Sequence, residues 1–173
     1  MFATEFKYQK ANSISEAIQL LSNDGDAKIL AGGHSLIPLM KLRLARPGTV
    51  IDIGGIEELK GISVENGTLR IGPLTTHTQI AESSQVRAVA GILWETAHGI
   101  GDPQVRNRGT IGGNVSHADP ASDLPTVLTV MNAKFTLQGQ GGITRRASRL
   151  DRCRRPSRKA LATSLRVLAR SAK

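Results

Sequence analysis

Lys28-Ile29-Leu30-Ala31-Gly32-Gly33-His34-Ser35-Leu36-Ile37-Pro38-Leu39-Met40-Lys41 runs from one apolar stretch through a glycine pair into another. Lys28 to Ala31 is apolar enough for a buried strand, and Leu36 to Leu44 reads as a short helix ended by Pro47. Two glycines at such a junction let the backbone approach a ligand closely. The N–H groups of residues 33–36 can then converge on an anion beside the helix start. A pyrophosphate suits that arrangement, although a plain strand-to-helix turn accounts for a Gly-Gly pair equally well. The stretch is neither G-x-x-x-x-G-K-[ST] nor G-x-G-x-x-G, so P-loop and Rossmann readings find no direct support.

Upstream, Phe6 to Gln9 reads as a strand, and Ser13-Ile14-Ser15-Glu16 has capping-box spacing. Ile14, Ala17, Ile18 and Leu21 then recur on one helical face, with Asn23-Asp24-Gly25 as a stop. Downstream, Thr49 to Ile53 reads as a third strand. The result is a β-α-β-α-β subdomain over residues 1–55. Ile62 to Glu65, Asn66-Gly67 and Thr68 to Ile71 form a β-hairpin signal that opens a second subdomain over residues 56–142. Thr76 to Glu82, Ala88 to Ala97 and Ser122 to Met131 read as helices, and Lys134 to Leu137 as a strand.

A second glycine-rich stretch, Gly99-Ile-Gly-Asp-Pro-Gln-Val-Arg-Asn-Arg-Gly-Thr-Ile-Gly-Gly-Asn114, carries five glycines. It reads as an irregular backbone with many free donors, ordered by a ligand or a partner. Beyond it, Asp119 and Asp123 read either as paired carboxylates or as ordinary turn and first-turn residues, the latter being the commoner role. The four histidines, His34, His77, His98 and His117, are scattered without clustered Cys or carboxylates, which argues against a metal site. His34 and His117 read as lining a cofactor site, and His77 and His98 as structural or surface residues. Lys41, Arg43, Arg106 and Arg108 are candidates for offsetting phosphate charge, the last two being favoured by their place beside the second stretch.

The formal charge of +9 is unevenly spread: residues 143–173 hold 11 of the 23 Lys and Arg and one acid, Asp151. The rest of the chain is near neutral. A basic-tailed nucleic-acid-binding or interaction module is therefore the alternative reading, but the body offers no nucleic-acid motif and no aromatic platform for stacked bases. A hydrolase using Asp119 and Asp123 has less support still. The lone Cys153 cannot pair within the chain, and no leader peptide or membrane span is recognisable, so a soluble cytoplasmic protein is expected. The composition after Gly142 suits a natural basic arm or an out-of-frame translation. Within it, Leu161, Leu165 and Leu168 have the spacing of a weak amphipathic helix.

Together, A-G-G-H-S-L-I-P-L-M-K-x-R-L-x-x-P and R-N-x-G-T-I-G-G-N-x-x-x-x-D-P-x-x-D closely resemble the two FAD-contacting signatures of the medium, flavoprotein subunit of carbon monoxide dehydrogenase and related molybdenum hydroxylases such as xanthine dehydrogenase. The resemblance runs from Phe6 to Gly142. It implies an α+β, two-subdomain FAD-binding domain of the vanillyl-alcohol oxidase (PCMH) type, incomplete at its C-terminus and followed by a basic non-family tail, residues 143–173. By resemblance, Gly32, Gly33, His34, Ser35 and Leu36 form one pyrophosphate-binding turn, and Thr110, Ile111, Gly112, Gly113 and Asn114 a second. Gly101 lies near the flavin, and Asp123 accepts from ribose or ribityl hydroxyls. It further implies electron transfer from iron–sulfur clusters through FAD to an external acceptor, with no catalytic side chain and no metal ligand in this chain. The molybdenum cofactor and [2Fe-2S] clusters are expected on partners, a molybdenum-containing large subunit and an iron–sulfur small subunit.

Overall fold

The computed structural model describes residues 2–147 and 160–168. Its first lobe contains β1 (Lys7–Lys10), α1 (Ile14–Asn23), β2 (Lys28–Leu30), α2 (Leu36–Lys41) and β3 (Thr49–Asp52). The three strands form a parallel sheet in the order β1-β3-β2, with helices as the crossovers that parallel pairing requires. Ser13 caps α1 as expected, its Oγ accepting from the Glu16 N–H at 3.1 Å. The Glu16 carboxylate reaches back one residue further than a capping box requires, accepting from the Asn12 N–H at 2.8 Å. Ala17, Ile18 and Leu21 of α1 are buried with Ile51, Ile53 and Ile56. Helix α2 stops at Lys41, well before Pro47, because Arg43 turns left-handed (φ 60°).

The second lobe opens with β4 (Ile62–Glu65) and β5 (Thr68–Ile71), joined at Asn66 (φ 49°) and Gly67 (φ 68°), the two positive dihedrals that a type I′ turn needs. Six helices follow: α3 (His77–Glu82), α4 (Ser84–Val89), α5 (Gly91–Gly99), α6 (Pro103–Arg108), α7 (Ile111–His117) and α8 (Asp123–Val130). The single helix expected over Ala88 to Ala97 is in fact the end of α4 and most of α5, separated by Ala90 in a non-helical conformation. The irregular loop expected over 99–114 is a second correction, since α6 and the start of α7 occupy it. Asp102 caps α6 through the Gln104 N–H at 2.7 Å, with Pro103 at the first position, and Thr110 caps α7 through the Gly113 N–H at 3.2 Å. Those local caps outweigh the low helix propensity of the glycines. Ile80, Leu93, Ile111, Leu124 and Leu128 bury one face of this helical layer against Leu69 and Ile71 of β5.

The chain then forms β6 (Lys134–Gly139), β7 (Gly142–Ala147) and β8 (Ala160–Leu168). The second sheet is antiparallel, in the order β4-β5-β8-β6-β7. The amphipathic helix expected around Leu161, Leu165 and Leu168 is therefore a central strand, and the segment beginning at residue 143 shares this sheet. The register against β6 shifts between Thr136 and Leu137: Thr136 faces Ser164 but Leu137 faces Ala162, so Thr163 is an extra residue in β8. One extra residue reverses which face the following side chains take. Leu165 and Val167 accordingly join the second-lobe core, whereas Leu161 joins the first-lobe core. Strand β8 thus pins the lobes together. Cys153 lies outside the described residues, as do 148–159 generally.

Candidate functional site

The two glycine-rich segments meet. A Cβ added to Gly32 would stand 1.9 Å from the Arg108 carbonyl oxygen and 3.1 Å from the Gly109 Cα, so the backbones touch where a side chain has no room. Behind this contact, residues 75–77 and 109–111 exchange main-chain bonds: the His77 N–H donates to the Gly109 carbonyl at 3.0 Å and the Ile111 N–H to Thr75 at 3.1 Å. The second segment is thereby fastened to the start of α3, whose capping box of Thr76 and Gln79 fixes its own first turn.

In front of the contact lies a cleft of about 410 Å³. Its walls are the β2–α2 turn, the Pro73–Leu74 turn, the starts of α3 and α7, and Leu161 and Ala162 of β8. Among the described lining residues, Lys28 is the only Lys, Arg, Asp or Glu, so no carboxylate opposes an anionic guest. Gly33 turns left-handed (φ 80°), aiming the chain into α2 at an angle that a Cβ would strain. The N–H groups of Gly33, His34, Ser35 and Leu36 donate to no group among the described residues, whereas the Ile37 N–H is already bonded to the Gly33 carbonyl. Such a cluster of free donors above a glycine floor fits a diphosphate.

The second segment differs. The Ile111 N–H is bonded to Thr75, that of Gly112 to the Pro73 carbonyl at 2.9 Å, that of Gly113 to Thr110 Oγ1, and that of Asn114 to the Thr110 carbonyl at 2.9 Å. Thr110, Gly112, Gly113 and Asn114 line the cleft, while Ile111 is buried in the second-lobe core. Gly101 and Asp123 do not line it: Gly101 faces open space, and Asp123 is an exposed first-turn residue of α8. Asn114 is tied to that helix start, its Oδ1 accepting from Ser122 Oγ at 3.0 Å. Asp119 Oδ1 accepts from the Ala121 N–H at 2.9 Å, the ordinary turn role.

His34 and His117 line the cleft, and so does His77, for which a structural or surface role is expected from the sequence. His77 is 3% exposed, and its buried Nδ1 has no partner among the described residues. Burial, assisted by the nearby charge of His34, lowers its pKa to about 4. His98 instead stacks on Trp94, with ring centroids 5.2 Å apart. None of the four candidate cations, Lys41, Arg43, Arg106 and Arg108, lines the cleft, and Arg106 donates to the Ile100 carbonyl instead.

The two lobes flank a glycine-floored cleft with no carboxylate among its described lining residues, a setting that suits a phosphate-bearing cofactor. This chain belongs to the family described as the FAD binding domain in molybdopterin dehydrogenase, which it matches over residues 4–165. It is 47% identical over 143 residues to the carbon monoxide dehydrogenase medium chain of Hydrogenophaga pseudoflava, covering 82% of this chain and 50% of that one. The glyceraldehyde dehydrogenase medium chain of Sulfolobus acidocaldarius is 41% identical over 142 residues, with 82% and 50% covered. The chain thus spans about half the length of these curated relatives. A solved carbon monoxide dehydrogenase structure from Hydrogenophaga pseudoflava superposes with a TM-score of 0.93 at 40% identity, covering 99% of this chain and 62% of the other.

Proposed function

We propose that this chain binds FAD in the cleft between its lobes and serves as the flavoprotein part of a molybdenum hydroxylase. The observation that carries the reading is the free-donor turn of Gly33 to Leu36 set against the second glycine segment in a cleft without carboxylates. The turn and Lys28 meet the diphosphate charge, while Thr110, Gly112, Gly113 and Asn114 form the opposite wall. Gly101 and Asp123, which lie off the cleft, would touch the cofactor only where it extends beyond these walls.

Bound FAD supplies the redox chemistry, and the protein supplies position, shielding and electrostatics. In the assembled enzyme a molybdenum-containing large subunit and an iron–sulfur small subunit deliver electrons, and an external acceptor removes them. Relatives named for carbon monoxide and for glyceraldehyde support placing substrate choice on another subunit.

The test is a titration of the purified chain with FAD, followed by flavin fluorescence and visible absorbance, with ADP and FMN as competitors. Saturable binding that ADP displaces and FMN does not is expected. A folded chain that takes up no FAD would sink the proposal.

A further inference from the structure

We propose that His77 is a positioning residue for the diphosphate of the dinucleotide, its Nδ1–H donating to an oxygen of that group. This rests on the flavin-binding reading above. His77 is fixed at both ends: its backbone N–H is bonded to the Gly109 carbonyl, and its ring abuts Gly109. A Cβ added to Gly109 would stand 2.8 Å from Cδ2 and 2.9 Å from Nε2. Glycine at 109 therefore makes room for the imidazole, and the Nε2 edge is turned to the backbone. The opposite edge carries Nδ1, which is buried and unpartnered among the described residues in a side chain that lines the cleft.

Buried polar atoms are almost always paired in native proteins, so one orphan in a ligand-sized cleft points to a partner that arrives with the ligand. With a pKa lowered to about 4 the ring is neutral at physiological pH. A neutral imidazole offers one N–H without bringing a charge into the apolar wall formed by Leu74, Val105 and Leu161. It also stands near enough to His34, on the free-donor turn, for the two rings to interact electrostatically. The imidazole and that turn thus sit on one cleft, and a diphosphate bound at the turn is a ready acceptor.

The experiment is NMR of the full chain carrying imidazole-¹⁵N histidine, titrated with FAD, ADP and riboflavin, with His77→Phe and His77→Asn variants measured alongside. FAD and ADP, which carry the diphosphate, should both move the His77 Nδ1 resonance, and riboflavin should not. His77→Phe should weaken FAD binding about tenfold, the loss expected for one buried hydrogen bond. His77→Asn, which keeps a donor near the Nδ1 position, should recover most of that affinity. Thermal melts identify a variant that has failed to fold, and the resonance shift on the unmutated chain needs no variant. Saturation with FAD that leaves Nδ1 unmoved, as a permanently bound water partner would, overturns the inference alone. A folded chain that never binds FAD overturns the flavin reading and this inference with it.

Discussion

Lowering the pH should unfold this domain through His77 in a calculable way. The folded ring titrates at about 4 against 6.5 in the unfolded chain. Between those values the unfolded state binds more protons than the folded one, so stability rises with pH. A neutral His77 is accommodated without penalty above about pH 7.5, and stability falls as pH drops through 6.5. At 1.36 kcal/mol per pKa unit, the full 2.5-unit difference amounts to about 3 kcal/mol below pH 4, and roughly 2 kcal/mol is already lost at pH 5. Urea unfolding at pH 8, 6.5 and 5 for the unmutated chain and His77→Gln measures it. Carboxylates that titrate near pH 4 are common to both proteins and cancel in the difference. The unmutated chain should lose about 2 kcal/mol more than the variant between pH 8 and pH 5, and His34→Asn should shrink that loss modestly by removing the secondary cause. Parallel stability curves for the unmutated chain and His77→Gln would refute the reasoning, since they would mean that the ring reaches water.

Gly32→Ala should cost about 1–3 kcal/mol by urea unfolding and abolish FAD binding, because its methyl group would collide with the Arg108 carbonyl, whereas Gly101→Ala, in open space, should leave stability unchanged. Leu165→Ala should cost about 2–5 kcal/mol by the same assay, as expected of a buried leucine whose removal leaves a cavity beneath β8. Thr110→Ala should cost about 1 kcal/mol through loss of the α7 cap, and Thr110→Ser should restore it.

The sequence made the first lobe and the hairpin readable because their signals are local. Ser13 caps α1, Asn66-Gly67 turns the hairpin, and the β-α-β-α-β order is carried by hydrophobic periodicity. The second glycine-rich stretch is less legible because its glycine count suggests a loop, while Asp102-Pro103 and Thr110 specify helix starts. Strand β8 was hidden for a different reason. The i, i+4 spacing of Leu161 and Leu165 imitates a helical stripe, and the bulge at Thr163, which sends the two leucines to opposite faces, leaves no mark in the sequence. His77 could not be found by pattern, since what sets it apart is its contact with Gly109, which is distant in sequence.

The hydrogen bonds divide the labour between two motifs that look alike on paper. Each is a glycine pair beside a short helix, yet the N–H groups at 33–36 donate to nothing among the described residues, while those at 111–114 are spent on Thr75, Pro73 and Thr110. A backbone N–H already bonded to a carbonyl must exchange that bond to hold a phosphate, and the exchange returns little net free energy. Under the flavin reading, the first segment therefore grips and the second forms the wall, its glycines allowing the close approach of Arg108–Gly109 to Gly32 and of Gly112 to Pro73. Substituting residues 34–36 of the first turn should change affinity with little change in stability, whereas substituting Gly32 or Gly112, which touch backbone, should change both together. His77 stands at the junction of these roles, its main chain bracing the wall and its side chain among those that line the cleft.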